Sequence, residues 1–114
     1  MTIISATINN TNFAQGSEPT LNKGSNTSNS FSINGSGFSG NQVPSDISFG
    51  FGGYAPTANS ISSQTTSQIN GAFSYNPSSS PVGGPAQANL AISVGGGGGS
   101  TSWPISGTYP VKVN

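Results

Sequence analysis

Six short segments of the chain alternate apolar and polar residues with a period of two. This period places successive side chains on opposite faces of a strand, so each segment predicts a strand with one buried face. The residues predicted to point inward are Ile4, Ala6 and Ile8; Phe31 and Ile33; Ile47, Phe49 and Phe51; Phe73 and Tyr75; Leu90, Ile92 and Val94; and Tyr109, Val111 and Val113. Weaker strand candidates lie near Leu21 and around Ile61. Because no stretch shows a helical period, the pattern predicts an all-β fold.

Clusters of Gly, Pro, Asn and Ser separate these segments, among them "NNTN", "GFGGYAP" and "NPSSSPVGGP". Such residues form turns, because they tolerate positive φ, fix φ or bond to their own backbone. Six to eight short strands within 114 residues predict a single domain, residues 1–114, folded as an immunoglobulin-like β-sandwich of about seven antiparallel strands. Pro104 and Pro110 bracket the last segment, which predicts an edge position or a strand interrupted by a bulge.

Charged residues are only 4% of the chain, the formal net charge is zero, and neither His nor Cys occurs. Two lysines and no arginine cannot neutralise a nucleic-acid backbone, which excludes nucleic acid as an expected partner. General acid–base catalysis and metal binding need residue types that are missing or isolated here, so we expect no enzyme activity and no cofactor. Zero cysteines exclude a disulfide framework.

The N-terminal stretch "MTIISATINN" lacks the basic start and long apolar run of a signal peptide. The protein is therefore cytoplasmic, or it is exported by a signal that was removed or is of another type. No apolar run approaches the roughly 20 residues of a membrane span, so none is expected.

The segment "SFSINGSGFSG" resembles the early strand and turn of IPT/TIG domains, in which an alternating strand is followed by a glycine, a short spacer and an aromatic residue. The residues that carry the likeness are Asn34, Gly35, Ser36, Gly37 and Phe38. The stretch "ISFGFGG" is similar to the family's next strand with its Phe-Gly turn, and "YPVKV" to its final strand. The resemblance implies a seven-stranded immunoglobulin-like sandwich. This fold serves extracellular, cell-surface and adhesive proteins, and also some transcription factors.

Two aromatic residues are candidate contact residues for a partner. Trp103 follows the glycine run and Tyr54 lies in "GGYAP", and aromatic side chains at loop edges often stack on sugars or anchor proteins. The alternative, which we favour for both, is that they complete a core that is short of large side chains.

Polar side chains of the loops offer weaker candidates. Asp46 with Asn41 and Ser45 could be imagined as a calcium site, but calcium requires six to eight oxygen ligands, and a single Asp more often bonds a turn. We therefore expect no metal. Asn-x-Ser/Thr triplets begin at Asn9, Asn26 and Asn34, and chance explains them in a chain so rich in these residues.

Five consecutive glycines stand in "SVGGGGGSTSW". A domain linker is excluded because only fifteen residues follow them, and a phosphate cradle is excluded because neither a helical pattern nor a cation follows. We interpret the run as the connection between the strands "ANLAISV" and "ISGTYPVKV". Bare backbone of this length indicates close approach to another surface, a neighbouring subunit being one candidate.

Two functions of different classes remain. Outward faces of hydroxyls and amides with almost no charge favour association between copies, so the first is a structural subunit of an extracellular filament, sheath or surface layer. The N-terminal strand with Ile4, Ala6 and Ile8 is the candidate donor strand for such an assembly. The second is a carbohydrate-binding, lectin-like or adhesin-like module that uses loop aromatics and amides. We favour the structural function and expect an extracellular or cell-surface location, with other copies of the chain as the partner.

Overall fold

The computed structural model of the chain describes residues 1–24, 26–76, 86–97 and 99–114. Within these residues there are ten strands: β1 (Thr2–Ile8), β2 (Thr11–Asn12), β3 (Thr20–Leu21), β4 (Asn29–Ser36), β5 (Ile47–Gly50), β6 (Ser60–Gln64), β7 (Gln68–Phe73), β8 (Ala86–Val94), β9 (Thr101–Trp103) and β10 (Tyr109–Val113). One 3-10 turn spans Pro44–Asp46, and no helix in this described part is long and apolar enough to cross a membrane. Apart from Asn76, the predicted turn cluster "NPSSSPVGGP" lies outside the described residues.

The strands form two sheets. Sheet 1 has the order β2-β1-β4-β7-β6, and sheet 2 has the order β3-β10-β8-β5 with β9 also paired to β8. The seven longer strands follow the immunoglobulin arrangement, with β1, β4, β7 and β6 in one sheet and β5, β8 and β10 in the other. The predicted immunoglobulin-like sandwich is therefore confirmed. The count rises from about seven to ten because β2, β3 and β9 have only two or three residues each, and β3 pairs parallel with β10.

The core lies between the sheets and consists of the inward residues of the alternating segments. Phe49 of sheet 2 stacks on Phe73 of sheet 1 at 3.8 Å between ring centroids, and Phe31 lies 5.2 Å from Phe49. Of the predicted inward residues, all but Ile4, Phe51 and Tyr109 are buried, and Phe51 and Tyr109 pack against the core while partly exposed. Offset or tilted aromatic pairs of this kind add about 0.5–1.5 kcal/mol each beyond the burial of their apolar surface. Few large side chains thus suffice to join the two sheets.

Ile4 departs from the predicted pattern. In the pairing of β1 with β4, Ile3 faces Gly35 and Ser5 faces Asn34, so Ile4 is the extra residue of a β-bulge. A bulge reverses the alternation beyond it, and Ile3 is consequently buried while Ile4 is 61% exposed. The prediction that Ile4 shares the inner face with Ala6 and Ile8 was wrong for Ile4.

The two prolines near the C-terminus fit an interrupted strand. β9 and β10 both pair antiparallel with β8, and residues 104–108 separate them. Pro104 is buried in this interruption. Lys112 donates its backbone N–H to the Pro19 carbonyl beside β3. Backbone nitrogens two residues apart in a strand point to the same side, so the Pro110 nitrogen also points toward the side of β3. However, β3 pairs only with Lys112 and Val113 and does not extend to Pro110. Its missing donor therefore leaves no ladder bond unmade.

Candidate functional site

The glycine run lies against the loop between β4 and β5 of its own chain. Gly95 donates its N–H to the Asp46 carbonyl at 2.8 Å, and a Cβ added to Gly96 would collide with the Asp46 carboxylate. A Cβ on Gly97 would come within 3.2 Å of Ser39. Gly96 and Gly97 also have φ of +80° and +66°, which L side chains rarely adopt. The surface predicted to lie close to the glycine run therefore belongs to the same chain, and a neighbouring subunit is not required to explain the glycines. Gly98 lies outside the described residues.

The connection that the glycine run forms also ends earlier than predicted. It connects β8 to β9, which begins at Thr101, rather than to a strand that starts at Ile105. Ile105 is instead 86% exposed in the interruption between β9 and β10. The cause is that Thr101–Trp103 already pair with β8 as a separate strand that the sequence did not predict, and Pro104 then interrupts the pairing with β8 before β10 begins.

Trp103 closes one side of the sandwich. Its indole Nε1 donates to the Phe13 carbonyl at 3.2 Å, and its ring meets Tyr109 edge-on with centroids 6.1 Å apart. Tyr109 in turn meets Phe13 edge-on at 5.4 Å. Trp103 is partly buried against the core, so it packs as the favoured alternative expects, and the polar atom of the indole is already bonded within the chain.

Tyr54 belongs to an aromatic cluster at the loop that follows β5. Its ring lies 5.9 Å from Tyr75 and 6.4 Å from Phe51, and its hydroxyl accepts the Asn76 N–H at 3.2 Å. Phe51 and Tyr75 are themselves 4.4 Å apart. Tyr54 therefore also packs, while it remains partly exposed.

The candidate donor strand completes its own sheet in this structure. β1 lies between β4 and β2, and Ala6 and Ile8 are fully buried in the core of the same chain. The groove that receives β1 is narrow, because a Cβ on Gly35 would overlap the Thr2 carbonyl and one on Gly37 would come within 3.0 Å of the Met1 nitrogen. The same groove would accept an identical strand from another copy only after this β1 had left it.

Asp46 serves the 3-10 turn. Its Oδ2 accepts the Val43 N–H at 2.8 Å, while the Asp46 N–H donates to the Val43 carbonyl at 2.9 Å. Of the other two residues of the imagined calcium site, Asn41 donates its N–H to Ser39 Oγ. No group of three or more His, Cys, Asp or Glu side chains that could hold a metal occurs among the described residues. The role expected for Asp46, bonding a turn, is confirmed.

Asn9 forms the tight turn between β1 and β2 and has a structural role. Asn9 and Asn10 have φ of 50° and 66°, which is the type I′ geometry of a two-residue hairpin. Asn9 Nδ2 donates to the Thr20 carbonyl at 2.7 Å and to Oδ1 of the buried Asn29 at 2.9 Å. The amide nitrogen that a glycan would need is therefore committed to the fold.

Asn29 is the most buried polar side chain described, at 0% exposure. Its Oδ1 accepts the Asn22 N–H at 2.8 Å as well as Asn9 Nδ2, and its Nδ2 donates to the Asn22 carbonyl at 2.9 Å. These bonds tie the loop after β3 to the first turn. Asn29 is not among the predicted inward residues, although its position two residues before Phe31 already marks it as inward-facing.

The most distinctive surface is the outer face of sheet 1. Side chains there form a hydrogen-bonded row across four strands, which we call the amide ladder: Ser5, Asn34, Gln68, Asn70 and Ser63. Asn34 Nδ2 donates to Ser5 Oγ at 3.4 Å, and Gln68 Nε2 donates to Asn34 Oδ1 at 2.8 Å. Asn70 Nδ2 donates to Gln68 Oε1 at 3.0 Å and to Ser63 Oγ at 3.1 Å. None of the four charged residues of the chain belongs to a strand of sheet 1.

The outer face of sheet 2 is also mostly uncharged but lacks such a row. Its cross-strand neighbours include Ser93 with Ser48 and Ser102, and Ala91 with Gly50. Charge enters this face only toward one end, where Lys112 lies in β10 and Glu18 Oε1 accepts Gln87 Nε2 at 2.7 Å. The two faces thus differ in chemistry, with bonded amides on sheet 1 and small side chains with some charge on sheet 2.

Alternation along the sequence predicts which residues point outward, but not which of them meet. The ladder depends on the pairing of Asn34 with Gln68 and of Asn70 with Ser63, and these registers are set by the folded sheet.

Comparison of the chain with protein-family models, with curated proteins and with solved structures finds no match. The resemblance to IPT/TIG domains therefore stays a prediction, and any functional conclusion depends on the surface itself.

Proposed function

We propose that the chain is a structural subunit that associates with copies of itself in an extracellular filament, sheath or surface layer. The observation that carries the proposal is the nearly uncharged exterior of both sheets, with four charged residues in the whole chain and a net charge of zero. Copies of such a protein do not repel one another, and net charge near zero promotes association. An ordinary soluble domain has about a quarter charged residues.

Carbohydrate binding is the weaker candidate. It would use Trp103 or Tyr54, and the polar atom of each side chain already bonds to the backbone of its own chain. A sugar site needs convergent polar groups beside an exposed aromatic ring. The two residues also belong to separate aromatic clusters, so they do not form one site together.

The direct test is sedimentation and electron microscopy of the purified protein from about 1 µM to about 1 mM. We expect the mean mass to rise with concentration and ordered particles to appear at the upper end. We also expect association to change less than about twofold between 0.05 and 0.5 M NaCl, because ionic contacts are the ones that salt screens. A monomer at every concentration, with no particles in the micrographs, would refute the proposal.

A further inference from the structure

We propose that the outer face of sheet 1 is the surface through which two copies of the chain pack, with the amide ladder of each copy meeting that of the other across a twofold axis. This inference rests on the proposed function and specifies its contact.

The edges of the sandwich are poor joints for another copy. In sheet 1, β2 has only two residues, and the opposite edge strand, β6, carries a register shift between Ile61 and Ser63. In sheet 2, β3 has two residues, while β5 is covered by the segment around Thr57, which bridges to Ser48 and accepts the Phe49 N–H at the Pro56 carbonyl. Short edge strands, bulges and covering segments are devices that prevent strand addition. Association is thereby directed to the faces.

The ladder of one copy has donors and acceptors left for a second copy. Asn70 uses both hydrogens of its Nδ2 within the ladder, while its Oδ1 accepts no hydrogen bond in the described part of the chain. Gln68 uses one hydrogen of its Nε2, on Asn34, which leaves the other hydrogen available. A twofold axis that lies in the contact plane midway between Gln68 and Asn70 would place Gln68 Nε2 of each copy opposite Asn70 Oδ1 of the other. A face with matched donors and acceptors and no charge is complementary to itself, as an isologous contact requires.

The ladder is also ordered before the copies meet. Side chains of Gln and Asn normally lose rotamer freedom when they enter an interface, at about 0.5–1.5 kcal/mol each. Here Asn34, Gln68 and Asn70 already hold one another through bonds of 2.8–3.0 Å. Part of that entropy loss therefore accompanies folding and does not oppose association.

The size of the face limits the strength of the contact. Strands β1, β4, β7 and β6, at about 4.8 Å spacing and with five to eight residues each, present roughly 400 Å² per copy. Standard protein interfaces bury about 800 Å² per partner. The contact is therefore weak, and the dimer should form at high micromolar or higher concentration. A filament would add at least one further contact to this dimer.

Lysine substitution on matched positions of the two faces tests the inference. Gln68 and Asn89 are both exposed outward residues, the first in the amide ladder and the second in β8 of sheet 2. We expect Gln68→Lys to raise the dissociation constant of the dimer at least about tenfold, because it removes the amide donor opposite Asn70 and brings two like charges into the contact on either side of the axis, and Asn89→Lys to change it less than about threefold. Equal melting temperatures of the two variants at low concentration establish that both fold.

A second measurement uses the absence of cysteine from the chain. Single variants Gln68→Cys and Asn89→Cys, treated with a short bismaleimide, report which face lies near its own copy. A covalent dimer of Gln68→Cys, with little from Asn89→Cys, supports the face of sheet 1. The reverse pattern, or equal weakening of association by both lysine variants, overturns the inference while the proposed function stands. A wild-type chain that never associates overturns both.

Discussion

Replacing Gly96 with alanine tests whether the glycine run packs against the loop between β4 and β5. Gly96 has φ of +80°, and an added Cβ would overlap the Asp46 carboxylate. A left-handed backbone costs a residue with a Cβ about 1–2 kcal/mol. Relief of the overlap requires Asp46 to move, which breaks the bond from the Val43 N–H to Oδ2. A hydrogen bond to a charged group contributes about 1.5–3 kcal/mol.

From these two effects we expect Gly96→Ala to lower the free energy of unfolding by about 2.5–5 kcal/mol, and the melting temperature by about 10–20 °C for a domain of this size. The measurement is urea and thermal unfolding, followed by circular dichroism and by the fluorescence of Trp103, the only tryptophan of the chain. Part of the predicted loss belongs to the backbone and part to Asp46. A second substitution can separate the two parts.

The matched control is Gly95→Ala. A Cβ at Gly95 would lie 3.8 Å from the Asp46 carbonyl, which is an ordinary contact, and Gly95 is not among the glycines with positive φ. Gly95→Ala should therefore be neutral or stabilise by up to about 1 kcal/mol through the unfolded chain. In an Asp46→Ala background, Gly96→Ala should cost only the backbone contribution of about 1–2 kcal/mol. If Gly96→Ala and Gly95→Ala unfolded at the same urea concentration, the proposed packing of the run would be refuted.

Five further substitutions, arranged as three tests, probe other parts of the structure by the same unfolding measurements. Asn29→Ala should destabilise by about 2–4 kcal/mol because it leaves buried backbone groups unpaired, whereas Asn34→Ala on the outer face should cost less than about 1 kcal/mol; equal effects would contradict the buried network. Trp103→Phe should cost about 1–2 kcal/mol through the lost indole bond and ring contact, and a loss of sugar binding without any loss of stability would instead indicate a binding residue. Ile3→Thr should cost about 2–3 kcal/mol and Ile4→Thr less than about 0.5 kcal/mol, and the opposite order would show that the bulge is misplaced.

The sequence predicted the fold class because the alternation of apolar residues is nearly regular in β4, β5, β8 and β10. It failed at Ile4, where two neighbouring isoleucines offer two possible phases, and only the pairing with β4 selects Ile3 as the inward residue. It also missed β9, because the three residues Thr101–Trp103 are too few to show an alternation, and it began the last strand at Ile105 although β10 begins at Tyr109. Local patterns determine which residues can point inward, while bulges and breaks depend on the partner strand.

The same distinction applies to the candidate surface. The outward positions of Asn34 and Asn70 follow from alternation, and the absence of charge follows from composition. The ladder itself requires Gln68 to lie opposite Asn34 and Ser63 opposite Asn70, on strands that are far apart in sequence or joined by a turn. The sequence therefore predicts a polar face without its hydrogen bonds. It also predicts a surface close to the glycine run, with a neighbouring subunit as one candidate, although that surface lies in the same chain.

A chain with almost no charge has little electrostatic repulsion to prevent indiscriminate aggregation. The geometry of its strand edges must prevent it instead. Lysine usually protects exposed edges, but Lys112 lies in β10, between β8 and β3, and does not mark a free edge. The edge strands instead offer little for strand addition, because β2 and β3 have two residues each, β6 carries a bulge and a segment covers β5. These devices oppose strand addition, which has little dependence on side chains and would recruit almost any extended peptide. They leave the faces open, where contact depends on matched donors and acceptors. If the proposed function holds, a protein built in this way would associate with its own copies without charge while discriminating against other chains.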